Sequence, residues 1–456
     1  MAANSRRTST RPHAMRADRA RAGPRSATVK HEAAGRNGEP DRRELQLAPM
    51  VCGQRGVERG EGLTGPSCST DRSHHISISV VQPMARRHVA RILAVGLTAF
   101  VAIGMTACNA QSQRAQYLLV ANEGLGLPGM LGNLAEFRID ARTGALVPVQ
   151  GSPFTAGSVP DYVAVDPSGT LAYVASKGLW AFRIDAGTGA LTPIASAPFL
   201  QSTQPDVVIF NKTGTCAYAV LTSGVMALRV DRSGAPAAVG GAPVPNYGNH
   251  PRSAVIDRSG TLLYVADRGR GGGGGIAGYR ANPQTCALKP ISQSLFATGN
   301  APRGMAMSKS GDLLYVAKTE NQGVSAYHVD TRTGTLSPVS GSPFSAGGHV
   351  ATVAVAPGGG VLYAATFQPA AIAAFRIDRR TGVLTPITGS PFSNAEYVGE
   401  SDSIAINQQG TLLYGVDRRG GNVFAFHIDP GTGELKPVQG GPNSGPNPVS
   451  VAMAQP

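Results

Sequence analysis

The sequence predicts an all-β protein, a seven-bladed β-propeller of four-stranded blades whose first blade is closed by the C-terminal strand. Three observations predict it. A four-strand pattern recurs about every 50 residues along 117–453. A tyrosine marks the second strand of each copy, at Tyr117, Tyr173, Tyr218, Tyr264, Tyr315, Tyr363 and Tyr414. The two ends of the pattern are incomplete in complementary ways.

The copy at 160–199 shows each element. Residues 161–166 alternate as a first strand, and Pro167-Ser168-Gly169 turns the chain, proline fixing φ and glycine free to take φ > 0. Residues 171–175 are a nearly continuous apolar second strand. Residues 179–185 form the third, and Asp185-Ala186-Gly187-Thr188-Gly189 turns again. Residues 191–194 are a short fourth strand, ended by Pro198-Phe199. Such a sheet has two apolar faces and cannot bury both alone, so it needs copies of itself. The third strand recurs as AEFRID, WAFRID, MALRVD, AGYRAN, SAYHVD, AAFRID and FAFHID. The fourth recurs as LVPV, LTPI, LKPI, LSPV, LTPI and LKPV, and degenerates only at 235–239.

The first copy lacks a strand before Tyr117, while 448–453 (PVSVAM) reads as a first strand with nothing after it. The two fragments complete one blade and leave no orphan edge. The propeller is therefore expected over 117–456.

The formal net charge of +13 is unevenly spread. Residues 1–83 carry 14 Lys/Arg against eight Asp/Glu, whereas 108–456 carry 24 against 20. A nearly balanced propeller gives no case for nucleic-acid binding, which needs a clustered basic face.

Residues 1–83 are rich in Arg, Gly, Ser and Ala, with no apolar periodicity. They read as a disordered tail or, preferably, as upstream sequence ahead of a true start at Met84. Residues 84–91 (MARRHVAR) are a positive n-region, and 92–104 are an apolar run of 13, too short to span a bilayer but suited to a signal segment. Met105-Thr106-Ala107-Cys108 then resembles the lipobox of bacterial lipoproteins, with Cys108 as the lipidated first residue and 108–116 as a linker. The alternative is an ordinary signal cleaved near Ala107. Asn109 after the cysteine favours the outer membrane over inner-membrane retention. The expected location is the cell envelope, facing the periplasm or the surface.

Five cysteines are too few for a disulfide scaffold. Cys216 falls on the second strand of blade three and Cys286 in the last turn of blade four. Two separate buried thiols are expected, with a bridge between adjacent blades as the alternative.

The chain holds no G-x-S-x-G, H-E-x-x-H, C-x-x-C, P-loop or EF-hand pattern. The run RGRGGGGG at 268–275 precedes a strand, so it lacks the helix dipole of a phosphate cradle and reads as a loop. The repeated Asp140, Asp185, Asp231, Asp330, Asp378 and Asp429 each begin a turn, where a carboxylate accepts backbone N–H bonds. No cofactor is expected.

What varies between copies carries more information. The turns after strands one and three are short and alike. The connections after strands two and four, on the opposite face, are long and varied: 122–133, 240–251, 267–275, 318–323, 340–350, 388–401 and 417–422. First strands line the channel and begin at that face. Asp161, Asp206, His250, Arg252, Arg303, His349, Glu400 and Asp402 stand at those beginnings and converge on the channel mouth, the default ligand site.

The YVAS, YVAD and YVAK strands, the AFRID-type strands and the D-x-x-T-G-x-L-x-P turns resemble those of the seven-bladed lactonase family, which includes 6-phosphogluconolactonase-like and carboxymuconate-cyclase-like proteins. The resemblance covers 117–453. Pro251-Arg252 and Pro302-Arg303 resemble Pro-Arg strand starts of the family's lactonases. Their His-rich P-H-A-H start is replaced here by Gln204-Pro205-Asp206-Val207 or His250-Pro251-Arg252-Ser253, and Gly304 follows Arg303 where a histidine is common.

Two functions follow as expectations. The first is an envelope lipoprotein that binds a partner protein, a glycan or a small anionic ligand at its variable face, as a monomer touching the membrane only through its lipid. The second, implied by the resemblance, is a lactone hydrolase or cyclase acting on an anionic sugar lactone or muconate. Arg252, Arg303 and Asp206 would then hold the substrate, His250 or His349 would be the general base, and Glu400 or Asp402 would orient water. A weaker variant uses His250, His349, Glu400 and Asp402 as metal ligands.

Overall fold

The computed structural model describes residues 115–456, except 126–130, 196, 247, 270–273, 293–294, 300, 320–322, 396 and 398. The expected upstream, signal and linker segments up to 114, with Cys108, lie outside the described residues, as does part of the glycine run at 268–275.

Local turn chemistry sets the blades. After a first strand, Asp166 Oδ1 accepts the Thr170 and Leu171 N–H groups at 2.9 and 2.7 Å, closing the turn into the second strand. After a third strand, Asp185 Oδ1 accepts the N–H groups of Gly187 and Thr188 at 3.1 and 2.8 Å, and Thr188 Oγ1 accepts that of Ala190. Asp140, Asp330, Asp378 and Asp429 each accept turn N–H groups in the same way.

The described residues form seven antiparallel sheets. In blade two the strands run Tyr162–Val165, Leu171–Ser176, Gly178–Ile184 and Leu191–Pro193 from channel to rim. Blade one joins both chain regions: Pro448–Ala454 is its inner strand, followed outward by Gln116–Gly124, Leu131–Ile139 and Leu146–Pro148. Tyr117 pairs with Ala454 and Asn122 with Pro448. The inner strands contact one another in sequence around the ring, with Pro448–Ala454 lying between those of blades seven and two.

The fourth strands do not end the blades at the proline–phenylalanine pairs. The chain doubles back, and Phe154, Phe199 and Phe392 bridge to Leu134, Leu179 and Ile372 on their third strands. Val244–Pro245, Phe296–Ala297 and Phe344–Ser345 do the same as short extra strands.

The core is divided among the seams between neighbouring blades, with one apolar cluster at each. Second strands are buried on both faces, as their continuous apolar runs require. A repeated latch crosses most seams. Tyr173, Tyr264, Tyr315, Tyr363 and Tyr414 donate their hydroxyls to the carbonyls of Gly234, Gly334, Gly382, Gly433 and Gly144 in the next blade. Two residues before each tyrosine, an apolar side chain covers that same glycine: a Cβ on Gly234 would lie 2.7 Å from Leu171, and one on Gly334 3.0 Å from Leu262. Only glycine fits there, and its φ is positive in each case.

This register corrects two sequence expectations. Tyr117 is not the equivalent of the other six tyrosines. Leu119 is, since it faces Glu136 as Tyr173 faces Ala181. Tyr117 takes the earlier, covering position: its ring would meet a Cβ on Gly189 at 2.4 Å, and its hydroxyl bonds the Ala186 carbonyl. Cys216 and Cys286 are not separate thiols but a disulfide. Cys216 holds the covering position of blade three, and Cys286 holds the glycine position of blade four with φ +64°. The two positions face each other at every seam, so two cysteines there can bond.

Candidate functional site

In blades two and three the residue just before the inner strand is tied to the neighbouring second strand before the ladder begins. The N–H of Asp161 donates to the Ala175 carbonyl and that of Asp206 to the Val220 carbonyl, each at 2.8 Å. Their side chains consequently stand at the mouth. A cavity of about 450 Å³ occupies this end of the channel. Every blade contributes to its wall, through Val449 and Glu123, Asp161, Asp206, Arg252, Arg303, Thr352 and Asp402 in ring order.

The charged side chains fall into two groups. In the first, Arg303 of blade five bonds Glu400 and Asp402 at the entry to blade seven. Asp402 also receives Arg418 Nη1 at 3.3 Å, and Arg418 in turn bonds Glu123 of blade one. The Arg303 side chain is only 14% exposed, whereas Arg418 and Glu123 at the other end of the network are half-buried. In the second group, Arg252 Nη2 lies 2.9 Å from His250 Nε2, and the His250 N–H is held by Asp267. Asp206 and Asp161, on the two preceding blades, line the wall beside them.

These two carboxyls titrate unusually. Burial pushes Asp161 up to about 6, and the negative charges of Glu123 and Asp206 add to the rise. Burial also pushes Asp206 up to about 6, because the nearby positive charge of Arg252 only partly offsets it and Asp267 raises it further. Asp206 Oδ2 is buried and accepts no hydrogen bond among the described residues. Arg252 is held below the ordinary arginine value, first by desolvation and then by the like charge of Arg303. A carboxylate that titrates near neutrality beside a guanidinium can take a proton from water while the cation stabilises developing negative charge.

Of the residues singled out from sequence, Asp161, Asp206, Arg252, Arg303 and Asp402 line the cavity. Glu400 reaches it through Arg303, and His250 through Arg252. His349 stands aside: its ring stacks on Phe367 at 5.4 Å and its Nδ1 bonds the Thr319 carbonyl. Phe367 also lies 6.0 Å beneath the Arg303 guanidinium. Among the described residues no three His, Cys, Asp or Glu side chains form a metal-binding group, so His250, His349, Glu400 and Asp402 are not assembled as a ligand set. The sequence reading missed Glu123 and Arg418. Glu123 stands at the end of the pairing of its second strand and Arg418 just after the end of its own, positions that vary between blades and read from sequence only as loop.

Fold and mouth together define a seven-bladed propeller with a charged cavity at one end of its channel. The chain belongs to the lactonase family of 7-bladed β-propellers, whose model matches residues 128–453. No curated protein sequence matches it. Among solved structures it is similar to a proposed 6-phosphogluconolactonase from Bacteroides fragilis, at 19% identity and a TM-score of 0.60, covering 76% of this chain and 99% of that one. It is also similar to a periplasmic gluconolactonase from Pseudomonas aeruginosa, at 17% identity and a TM-score of 0.57, covering 75% of this chain and 100% of that one.

Proposed function

We propose that this protein hydrolyses a small sugar lactone at the channel mouth. The observation that carries the reading is Asp206, a carboxylate with a buried, unbonded oxygen and a pKa of about 6, set beside Arg252 in a cavity of ligand size. Asp206 takes a proton from water as the water oxygen attacks the lactone carbonyl. Arg252 faces the resulting oxyanion. The ring C–O bond then breaks, and the departing ring oxygen takes a proton from the Asp206–Asp161 pair. His250 serves by fixing Arg252, since its Nε2 is already engaged there. The names of the similar structures, a gluconolactonase and a proposed 6-phosphogluconolactonase, agree in reaction class. Hydrolysis of D-glucono-1,5-lactone by the purified 109–456 chain tests it. A rate above the spontaneous one that is lost in Asp206→Asn is expected. A rate no higher than the spontaneous one would return the partner-binding reading of this face.

The same proposal places the protein in the cell envelope, as a lipoprotein anchored through Cys108. The basic, apolar and cysteine-terminated run at 84–108 supports export. So does the Cys216–Cys286 bond, because disulfides persist in oxidising compartments.

A further inference from the structure

Arginines at a lactonase-like mouth invite the reading of an anion anchor, but two of the three are already spoken for. Arg303 bonds Glu400 and Asp402, and Arg418 bonds Asp402 and Glu123. Two guanidinium groups therefore meet three carboxylates. The remaining cation, Arg252, shares its surroundings with Asp206 and Asp161. With Asp206 ionised, the mouth carries no net positive charge.

We infer that Glu400 and Asp402 are specificity-determining residues: they neutralise Arg303 and so restrict the cavity to uncharged lactones, excluding phosphorylated or carboxylated ones. The inference rests on the lactonase reading and names its substrate class. A phosphate dianion entering this cavity would lose its hydration and find only Arg252 outside the ion-pair network, while meeting the carboxylates of Asp161, Asp206 and Asp402 on the same wall. A neutral lactone loses little. The same field acts on the product. Ring opening turns the neutral ester into a carboxylate, which the mouth then repels, so charge selection also speeds release.

The arrangement is specific to this pair of carboxylates. Arg303 reaches from blade five to the entry of blade seven, over the Phe367 ring of blade six. Asp402 is shared by two arginines, so its removal leaves Arg303 with Glu400 alone and Arg418 with Glu123 alone, and removing Glu400 as well frees Arg303.

The test compares D-glucono-1,5-lactone with its 6-phosphate as substrates, and separately measures binding of 6-phosphogluconate by calorimetry. The native protein should prefer the neutral lactone in kcat/KM by tenfold or more and show no calorimetric binding of 6-phosphogluconate. Glu400→Gln/Asp402→Asn should gain that binding and shift the preference at least tenfold toward the phosphorylated lactone. Adding Arg303→Gln should abolish the gain. Glu400→Gln alone, which keeps the Asp402 bridge, should move in the same direction by a smaller factor and covers the case where the double variant fails to fold. Native binding of 6-phosphogluconate as tight as the variant's, or an unchanged preference, would overturn the inference. The lactonase reading fails by a different result, turnover of neither lactone, and the binding comparison still reports on charge selection in that case.

Discussion

Leu119 stands opposite Glu136 in blade one, where the other six blades set a tyrosine opposite an alanine or glycine. The exchange trades a large and a small residue for two intermediate ones. It also buries a carboxyl in the seam between blades one and two. Glu136 is fully buried, and its carboxyl oxygens have no hydrogen-bond partner among the described residues. Desolvation raises its pKa to about 8.

The first prediction follows from that shift. The folded state keeps the Glu136 proton up to about pH 8, whereas the unfolded chain releases it near 4.5. Between those values the folded state binds more protons, so stability falls as pH rises through the window and levels above it. The full loss is on the order of 5 kcal/mol. Glu136→Ala, which installs the residue of most other blades, should flatten the decline and raise the melting temperature at pH 8. Parallel pH curves for the two proteins would count against a buried neutral carboxyl.

The Cys216–Cys286 bond gives the second. It closes a separation of 70 residues across the seam of blades three and four. There Tyr218 lacks the hydroxyl bond its counterparts make. Cys286 also adopts a left-handed φ that glycine holds without cost in the other blades. Reduction should lower stability by about 2–4 kcal/mol, seen as a drop in melting temperature with dithiothreitol. Cys216→Leu/Cys286→Gly, which rebuilds the seam as its neighbours have it, should recover most of the loss and become insensitive to reductant.

The third concerns closure. Pro448–Ala454 pairs with Gln116–Gly124 and joins the inner ring, and Asn122 donates to the Ser444 carbonyl at 2.8 Å. Removing 448–456 should expose an unpaired edge and cost several kcal/mol, at about 1 kcal/mol for each hydrogen bond lost. Denaturant titration and limited proteolysis at blade one measure it. A truncated chain as stable as the full one would remove closure from the account of stability.

How far the sequence could be read depends on period. Strand identity, blade number and closure were legible because each blade repeats the same turn residues. Tyr117 was misplaced because residues two apart on a strand face the same way, so it resembles the true position occupied by Leu119. The disulfide was legible in principle, since Cys216 replaces the covering residue and Cys286 the glycine beneath it. That relation becomes visible only once the seams are aligned. The Arg303–Glu400–Asp402–Arg418–Glu123 network was half legible. Its members come from blades one, five and seven, and Glu123 and Arg418 are 295 positions apart. No local pattern records such a meeting. The titration of Asp206 was not legible at all, because it arises from burial.

A fourth prediction addresses export. Mass spectrometry of membrane-extracted protein should find a mature chain beginning at a lipid-modified Cys108. Cys108→Ser should leave it unprocessed or soluble. An unmodified N-terminus upstream of residue 84 would refute both the start at Met84 and the anchor.

The last prediction tests the base. If Asp206 must be ionised to accept the water proton, kcat/KM should rise with pH, bend near 6 and then hold level once spontaneous hydrolysis is subtracted. Asp206→Asn should lower kcat by a factor of about 10²–10⁴ with little change in KM, because the base acts in the transition state. Arg252 offers a sharper check. Its charge lowers the Asp206 pKa, so Arg252→Gln should move the acid limb to higher pH as well as reduce the rate. A merely structural arginine would alter the rate and leave the position of the limb unchanged. If His250 were the base instead, His250→Gln would erase the limb, whereas positioning through Arg252 requires it to persist at reduced rate.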